Sequence, residues 1–274
     1  MRYVSVRDVR THNGWMPFEA RRQPLKRLDE TTFQTQHRPL VDADWDGTLI
    51  DDVAVFLDGE QVEPEAIDPD IGLVSIYPPP SQAARVEASY YWHPVGDSEV
   101  QLAVEAAEAE VEALTGTVFK PHPKVERVVV SRGRTFNLSE PVLSLLSVKV
   151  YDHAGNLLDS DAPAEVLDPQ TGLIRIPASA GEPRPPWYLS HPFAVEAVYQ
   201  AGYAQTPPTV KQAVITLASY IILTKLQRSL SFAADYGGAV VAGFTAEDLE
   251  RRLSFLRQEV DRVKQTLPRR VGRV

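Results

Sequence analysis

The sequence predicts an α+β fold in which three long helices accompany two antiparallel β units. Apolar residues recur at the three-to-four-residue spacing of a helix in residues 97–116, 207–228 and 245–267. Short alternating segments rich in β-branched and aromatic residues fill residues 41–96 and 117–205, where Gly, Asp and Pro mark the turns. A block of the first β region returns in the second, which predicts a duplicated β unit.

Length and composition place the chain among globular proteins. Its 274 residues are 43% hydrophobic and 24% charged, which suits one large or two ordinary domains. No segment approaches the roughly 18 apolar residues that cross a bilayer, and residues 1–20 lack the apolar stretch of a signal peptide. The chain has no cysteine, which excludes thiol nucleophiles, cysteine-ligated zinc and disulfides.

The net charge of −9 is unevenly distributed. Residues 41–248 hold 12 basic and 30 acidic residues, whereas residues 1–40 hold eight and four, and residues 249–274 hold eight and three. The acidic middle argues against a surface that grips DNA, because phosphates require clustered Lys and Arg. The basic ends are either ordinary solvated surface or sites that meet an acidic partner.

The β structure is expected to begin after an irregular start. Residues 1–40 are polar and show no sustained periodicity, so we expect an N-terminal arm there. The first β unit, residues 41–96, then contains strand patterns at residues 53–57, 73–77 and 86–92.

Capping and proline signals set the helix ends. Ser98 begins a capping-box pattern, and Gly116 stands where a left-handed cap would end the first helix. Pro207 suits the first turn of the second helix. The third helix is predicted to begin at Thr245 and to end before Pro268.

The last helix carries the sharpest periodic signal. Its apolar residues follow one another at intervals of 4, 3, 4, 3 and 4, which lays a narrow apolar seam along the helix. Either the seam packs on the chain's own domain or another chain completes it. The seam consists of Leu249, Leu253, Leu256, Val260, Val263 and Leu267.

Two blocks of the β regions resemble one another. The sequence DPDIGLVSIY at residues 68–77 matches DPQTGLIRIP at residues 168–177 at five of ten positions. VEASY at residues 86–90 matches VEAVY at residues 195–199 at four of five. We interpret these matches as a duplicated β unit followed each time by a helix, although short strands can share turn residues for local reasons. Such a unit favours a scaffold over a catalytic pocket.

The sequence contains none of the common catalytic motifs. The six histidines are scattered without the i, i+4 spacing of a helical metal site. Neither a Gly-x-Ser-x-Gly elbow nor a P-loop lysine occurs, and no cofactor is predicted.

One acidic cluster has the spacing of half a calcium loop. Asp42, Asp44 and Asp46 occupy the first, third and fifth positions of such a loop, with Gly47 at the sixth. The twelfth position is Val53, where a glutamate ligand is required, so the cluster is either a weak metal site or a solvated acidic turn.

The order of features in residues 98–271 resembles the head–tail connector, or adaptor, family of tailed phages, which forms the ring beneath the portal. The resemblance rests on a helix ending in EALTGTVF at residues 112–119 and on LSEPVLSLLSVKV at residues 138–150. VEAVYQAGY at residues 195–203, followed by TPPTVKQAV at residues 206–214, is its most specific part.

The resemblance implies a helical bundle with an inserted β unit, many copies of which form a homo-oligomeric ring around a channel. Such rings dock on the portal protein, contact a stopper or tail-completion protein, and let double-stranded DNA pass without reading its sequence. The implied location is the neck of the virion, with no membrane contact and no enzymatic activity. Residues 1–97 lie outside the resemblance.

On this interpretation, the last helix and the basic tail of residues 268–274 contact the portal. The predicted contacts are Leu249, Leu253, Leu256, Val260, Val263, Leu267, Arg269, Arg270 and Arg273. Two other interpretations stay open. One is another virion structural protein of a tail, baseplate or decoration type. The other is a calcium-dependent binding module or hydrolase that acts through Asp42, Asp44 and Asp46.

Overall fold

The computed structural model describes residues 3–131, 133–177, 192–234 and 246–266. The described elements are helices and short antiparallel strands, which confirms the predicted α+β class. The chain divides into two compact units. The large unit comprises Val4–Val111 and Gln212–Leu267, and the small unit comprises Met1–Tyr3, Glu112–Lys211 and Pro268–Val274.

The large unit contains the first β unit, which consists of two antiparallel sheets. Its strands are β1 (Phe18–Pro24), β2 (Lys26–Arg27), β3 (Thr32–Gln34), β4 (Ala54–Leu57), β5 (Glu60–Val62), β6 (Ala66–Asp68), β7 (Leu73–Ser75) and β8 (Val86–Trp92). The sheet orders are β1-β8-β4-β5 and β2-β3-β7-β6. Phe33 and Val74 of one sheet and Val55 of the other are buried in a shared core.

The first forty residues contribute regular structure instead of the expected irregular arm. Val6–Asn13 form helix α1, where the Ser5 and Asp8 side chains make a reciprocal capping box. Strand β1 pairs with β8 at the edge of its sheet. Periodicity did not reveal these elements, because α1 has only eight residues and an edge strand needs no apolar alternation.

The small unit contains the second β unit, which repeats this design. Its strands are β9 (His122–Val130), β10 (Thr135–Asn137), β11 (Val142–Tyr151), β12 (Leu157–Asp159), β13 (Glu165–Asp168), β14 (Leu173–Arg175) and β15 (Phe193–Ala201). The sheet orders are β12-β11-β15-β9 and β10-β14-β13. Val150 and Val195 of one sheet and Ile174 of the other are fully buried in one core.

The sheet orders support the predicted duplication. Strands β1, β8, β4 and β5 of the first unit occupy the same positions as β9, β15, β11 and β12 of the second. The repeated Asp-Pro turns also make equivalent contacts. The main-chain N–H of Leu40 donates to the oxygen of Pro69, and that of Val142 to the oxygen of Pro169, each at 2.8 Å.

The glycines that follow these turns are equivalent as well. Gly72 and Gly172 adopt φ values of 66° and 68°, in the left-handed region that favours glycine. Their carbonyl oxygens accept main-chain hydrogen bonds from Thr35 and Leu138, each at 2.9 Å. The two blocks therefore share their spacing because the same turn occurs in both β units.

Three longer helices lie close to the predicted segments. They are α2 (Asp97–Thr115), α3 (Pro208–Ala234) and α4 (Ala246–Thr266). Gly116 follows α2 with a φ of 64°, and its N–H donates to the oxygen of Glu112 at 2.8 Å, as expected of a left-handed cap. No helix in the described ranges is long and apolar enough to cross a membrane.

Ion pairs join these helices within the large unit. Lys225 of α3 lies 2.8 Å from Glu99 of α2, and Lys264 of α4 lies 2.8 Å from Glu110 of α2. Exposed pairs of this kind each contribute about 1 kcal/mol or less. Most of the stability of the helical part therefore comes from its buried apolar side chains.

A buried arginine fixes α1 to the start of α2. The Arg10 side chain is fully buried; its Nε donates to Asp97 Oδ1 and its Nη2 to the oxygen of Val95, each at 2.7 Å. A guanidinium inside a protein requires such partners, because an unpaired buried charge is strongly destabilising. Asp97 also accepts the main-chain N–H of Asp42 at 2.9 Å, so one carboxylate positions both helix α1 and the segment at Asp42.

Candidate assembly surfaces

The three segments that carry the family resemblance meet at one place in the small unit. The N–H of Tyr203 donates to the oxygen of Phe119 at 3.1 Å, and the N–H of Gly202 donates to the oxygen of Pro141 at 3.1 Å. The rings of Phe119 and Tyr203 stack with centroids 5.7 Å apart. Phe119, Pro141, Gly202 and Tyr203, one or two from each segment, are termed the motif cluster.

Glycine is required at position 202 for two reasons. Its φ of 105° is unfavourable for any residue with a side chain. A Cβ atom there would also lie 2.4 Å from the carbonyl oxygen of Lys120 and 2.8 Å from its carbonyl carbon. The Ala-Gly-Tyr motif therefore marks a close approach between two backbones.

Tyr3 packs against the motif cluster. Its hydroxyl donates to the Glu112 carboxylate and accepts the N–H of Phe119 at 2.9 Å. Burial, and then the hydrogen bond with Glu112, raises the pKa of Tyr3, so the hydroxyl stays protonated as a donor. Lys120 Nζ lies 4.7 Å from the centre of the Tyr3 ring. Sequence reasoning missed Tyr3, because a single tyrosine near a chain end carries no spacing signal.

A cavity of about 490 Å³ opens beside the motif cluster. Tyr3, Lys120, Tyr203 and Lys211 contribute to its lining, which contains no acidic side chain. Such a lining suits an acidic or amphipathic side chain from another protein.

The apolar seam of α4 is covered by the chain's own residues. Leu249, Leu253, Leu256 and Val260 are only 0%, 8%, 5% and 5% exposed. Leu253 lines a small cavity together with Tyr220 of α3. These four side chains are buried in their own subunit and so present no surface for the predicted portal contact. Heptad spacing shows that a stripe is buried but not which chain buries it.

The outer face of α4 is different in character. Phe255 is 60% exposed, and Arg251 and Arg262 lie on the same face of the helix. Of the other predicted contacts, Val263 is half-buried. Those outside the described residues are Leu267, Arg269, Arg270 and Arg273.

Asp42, Asp44 and Asp46 lie close together, with one oxygen of each within 4.8 Å of the others. The Asp42 carboxylate accepts the main-chain N–H groups of Trp45 at 2.6 Å and Gly47 at 2.7 Å. These bonds form the turns that aspartate favours, which accounts for the acidic spacing without an ion. The three carboxylates are nevertheless the oxygen ligands that a hard cation would use.

The position that a calcium loop reserves for a glutamate is apolar in this chain. Val53 stands there, only 4% exposed and packed in the core of the first β unit. A bidentate carboxylate at that position is therefore missing from the loop.

In the described part of the chain, no histidine belongs to a group of three closely spaced potential metal ligands. The acidic loop is the only such group there. Burial, and then the nearby Arg10 guanidinium, lowers the pKa of His93 to about 4. The neutral His93 ring accepts the N–H of Val95 on Nδ1 at 3.0 Å. His122 Nε2 lies 3.0 Å from Glu140 Oε2. The His93 ring is therefore a buried packing residue, and the His122 ring pairs with a carboxylate.

The second β unit exposes an apolar strand face that sequence reasoning did not single out. Val125 and Val129 of β9 are 64% and 70% exposed. They flank Arg127, whose guanidinium lies 4.6 Å from the centre of the Tyr151 ring. Alternation along residues 122–130 predicts a strand, but it does not tell which face a neighbouring chain could cover.

Comparisons with known proteins give structural matches alone. No protein-family model and no curated protein sequence matches the chain. Nine chains of solved structures match. One is described as "Neck of empty GTA particle computed with C6 symmetry", with 19% identity and a TM-score of 0.29 over 57% of this chain and 78% of that chain.

Two further matches come from gene transfer agent particles. "Virion of native gene transfer agent (GTA) particle" has 21% identity and a TM-score of 0.28 over 57% of this chain and 77% of the other. "Neck of native GTA particle computed with C12 symmetry" has the same identity and TM-score over 56% of this chain and 80% of the other. TM-scores of this size do not establish a shared fold. These descriptions are therefore statements about those particles and not about this chain.

Proposed function

We propose that the chain is a structural head–tail connector of a tailed phage. Copies of it would form a ring that docks on the portal protein and leads to a stopper or tail-completion protein. The observation that carries the proposal is the motif cluster. Segments that lie far apart in the sequence, and that together resemble the connector family, touch one another through Phe119, Pro141, Gly202 and Tyr203.

The charge distribution supports passage of DNA without binding. Residues 41–248 carry 30 acidic and 12 basic residues. An acidic wall repels phosphate, whereas a basic channel would bind the duplex and retain it by releasing counterions. The proposed channel therefore allows a moving duplex to pass.

The portal contact is assigned to the outer face of α4 and the basic tail. Phe255 offers an exposed aromatic ring beside Arg251 and Arg262, a combination that is frequent in protein interfaces. Arg269, Arg270 and Arg273 follow in the tail and would add attraction to an acidic portal groove. The buried seam then has a structural role, since it holds α4 in place while the opposite face binds.

Binding to purified portal protein tests this assignment. The Phe255→Ser variant and a variant lacking residues 269–274 should each bind the portal at least about tenfold more weakly. Phe255→Ser should keep the melting temperature of the wild type, because Phe255 is exposed. An unchanged melting temperature is also the expected result for the deletion, and an equal loss of fold there would assign the tail to the core. Leu102→Ser is the matched control, since Leu102 is 66% exposed on α2 and lies outside the proposed contact.

Three results would count against the proposal. Absence of any complex between the wild-type chain and the portal at micromolar concentrations would remove the connector function. Equal weakening by Leu102→Ser would show that the α4 face is not specific. Location of the chain in a tail, baseplate or capsid lattice would favour another virion structural role.

A further inference from the structure

The edge strand β9 is long and regular. Each of its nine residues pairs with β15 without a register shift. β9 ends the order of its sheet, so no described strand pairs with its outer side. Val125 and Val129 add exposed hydrocarbon. An edge of this kind tends to pair with another chain unless something covers it.

The equivalent edge of the first β unit is protected. Strand β1 has a register shift between Ala20 and Gln23. Arg22 lies within the shift with a φ of 43°, and Pro24, which has no N–H, ends the strand. A bulge is one of the usual means of preventing edge-to-edge pairing. Strand β9 also carries a proline and two basic residues, Pro123, Lys124 and Arg127, but it has no bulge.

The duplication makes the difference informative. Val125 pairs with Val198 of β15, and the equivalent residue of β8, Ser89, accepts the N–H of Arg22 on its side-chain oxygen. At this position of the sheet, the first unit has a bulge that contains Arg22, whereas the second unit has the exposed Val125. Since both units share one strand order, the fold alone does not demand an open β9 edge.

The opposite edge of the same sheet has complementary chemistry. Strand β12 ends the sheet on that side and exposes Leu157 and Leu158, which are 52% and 37% exposed. Residues 152–168, which include β12, contain five acidic residues and no Lys or Arg. Residues 120–134, which include β9, contain five basic residues and one acidic residue.

We propose that the β9 edge of one copy of this chain binds the β12 edge of the next copy. The proposal rests on the ring proposed above and names the surface that joins its subunits. Each edge offers an apolar centre with charges around it, as protein interfaces do, and the two edges carry opposite charge. A second copy is the occupant because it presents the matching edge on the same sheet.

A head-to-tail contact of this kind produces a ring when the rotation between successive copies closes the circle, and an open filament when it does not. Two different surfaces meet at the interface, so every copy keeps one free edge of each type until the circle closes. A contact of β9 with β9 would instead stop at a dimer and would bring two basic segments together. The opposite charges of the two edges favour the head-to-tail arrangement.

Two edge variants test the contact. The β9 variant is Val125→Glu/Val129→Glu, which adds acid to the basic edge, and the β12 variant is Leu157→Lys/Leu158→Lys, which adds base to the acidic edge. Each should weaken self-association of the full chain at least about tenfold, measured by sedimentation velocity with and without portal protein. Mixing the two variants should restore assembly, because each contact in the mixture again joins opposite charges.

Matched controls separate charge and position from loss of fold. Val125→Lys/Val129→Lys removes the same apolar surface but keeps the edge basic, so it should weaken association less than the Glu pair. Leu28→Glu/Ile71→Glu places two glutamates at residues of the first β unit that are 47% and 46% exposed, and it should assemble as the wild type does. Unchanged circular dichroism and melting temperatures identify the variants that fold.

The outcomes separate this inference from the proposed function. Rings of the β9 variant on the portal that match the wild type would overturn the edge contact and leave the connector function intact. Assembly of the β12 variant alone, with none by the β9 variant, would overturn the head-to-tail pairing, as would a mixture that stays dissociated. A wild-type chain that forms no oligomer, even with portal protein, would overturn both.

Discussion

Replacing Gly202 with alanine tests the close approach within the motif cluster. The substitution places a side chain at a φ of 105°, which costs about 1–2 kcal/mol for an L-residue. Its Cβ would also lie 2.4 Å from the Lys120 oxygen. Because that oxygen belongs to the backbone, relieving the overlap costs about another 1–3 kcal/mol. The expected total loss of stability is therefore about 2–5 kcal/mol.

Gly155→Ala is the control for this experiment. Gly155 has a φ of 89° in the same β unit, but a Cβ there would meet no atom within 4 Å. It should lose only the cost of the positive φ, about 1–2 kcal/mol. Both substitutions also restrict the unfolded chain to a similar degree, so the difference between them measures the overlap.

Urea unfolding followed by circular dichroism gives the two free-energy changes. Hydrogen–deuterium exchange in β9 and β15 adds a local readout, and Gly202→Ala should accelerate exchange there more than Gly155→Ala does. Equal losses for the two variants would refute the close approach. The contact between the resembling segments would then lose its support, and with it the main observation behind the proposed function.

Other predictions concern the large unit. The free energy of unfolding should rise between about pH 4 and pH 6.5, by up to about 3 kcal/mol more in the wild type than in His93→Gln. Below pH 6.5 the histidine of the unfolded chain binds a proton, whereas folded His93 stays neutral down to its pKa of about 4. Melting curves against pH check this with exposed His153→Gln as the control, and parallel curves for wild type and His93→Gln would contradict it. Asp97→Asn should destabilise the protein by about 3 kcal/mol in urea unfolding, because Arg10 loses its charged partner. A loss below about 1 kcal/mol would contradict that pairing. Calcium or EDTA should leave the melting temperature unchanged, whereas a rise with calcium would assign a cation to residues 42–47.

The helices were predictable because their signals are local. Apolar spacing and the Gly116 cap located α2, and proline located the start of α3. The seam of α4 was recognised as buried, but its partner was not. Spacing indicates only that a stripe of apolar side chains is buried. A contact within the subunit and a contact between subunits therefore produce the same sequence pattern.

The N-terminal elements were missed because their pairing is carried by the backbone. Strand β1 contains Arg21, Arg22 and Pro24, residues that argue against a strand when read alone. It is held in place by hydrogen bonds to β8 at the edge of the sheet. The duplicated block around Gly72 and Gly172 was recognisable, since a left-handed turn limits the residues that can build it.

Residue spacing in the sequence did not predict the contacts of Tyr3 or the exposure of the β9 edge. Tyr3 reaches Glu112 and Phe119, more than a hundred residues away in the sequence, through contacts of a single side chain. Val125 and Val129 alternate as in any half-buried strand, and only the position of β9 at the end of its sheet reveals their exposure. Both features depend on tertiary neighbours.

Electron microscopy of the chain mixed with its portal protein tests the central claim most directly. The account predicts a ring of this chain stacked on the portal ring, with an open central channel and with the outer face of α4, including Phe255, turned toward the portal. Portal rings that stay bare at micromolar concentrations of the folded chain would contradict the account.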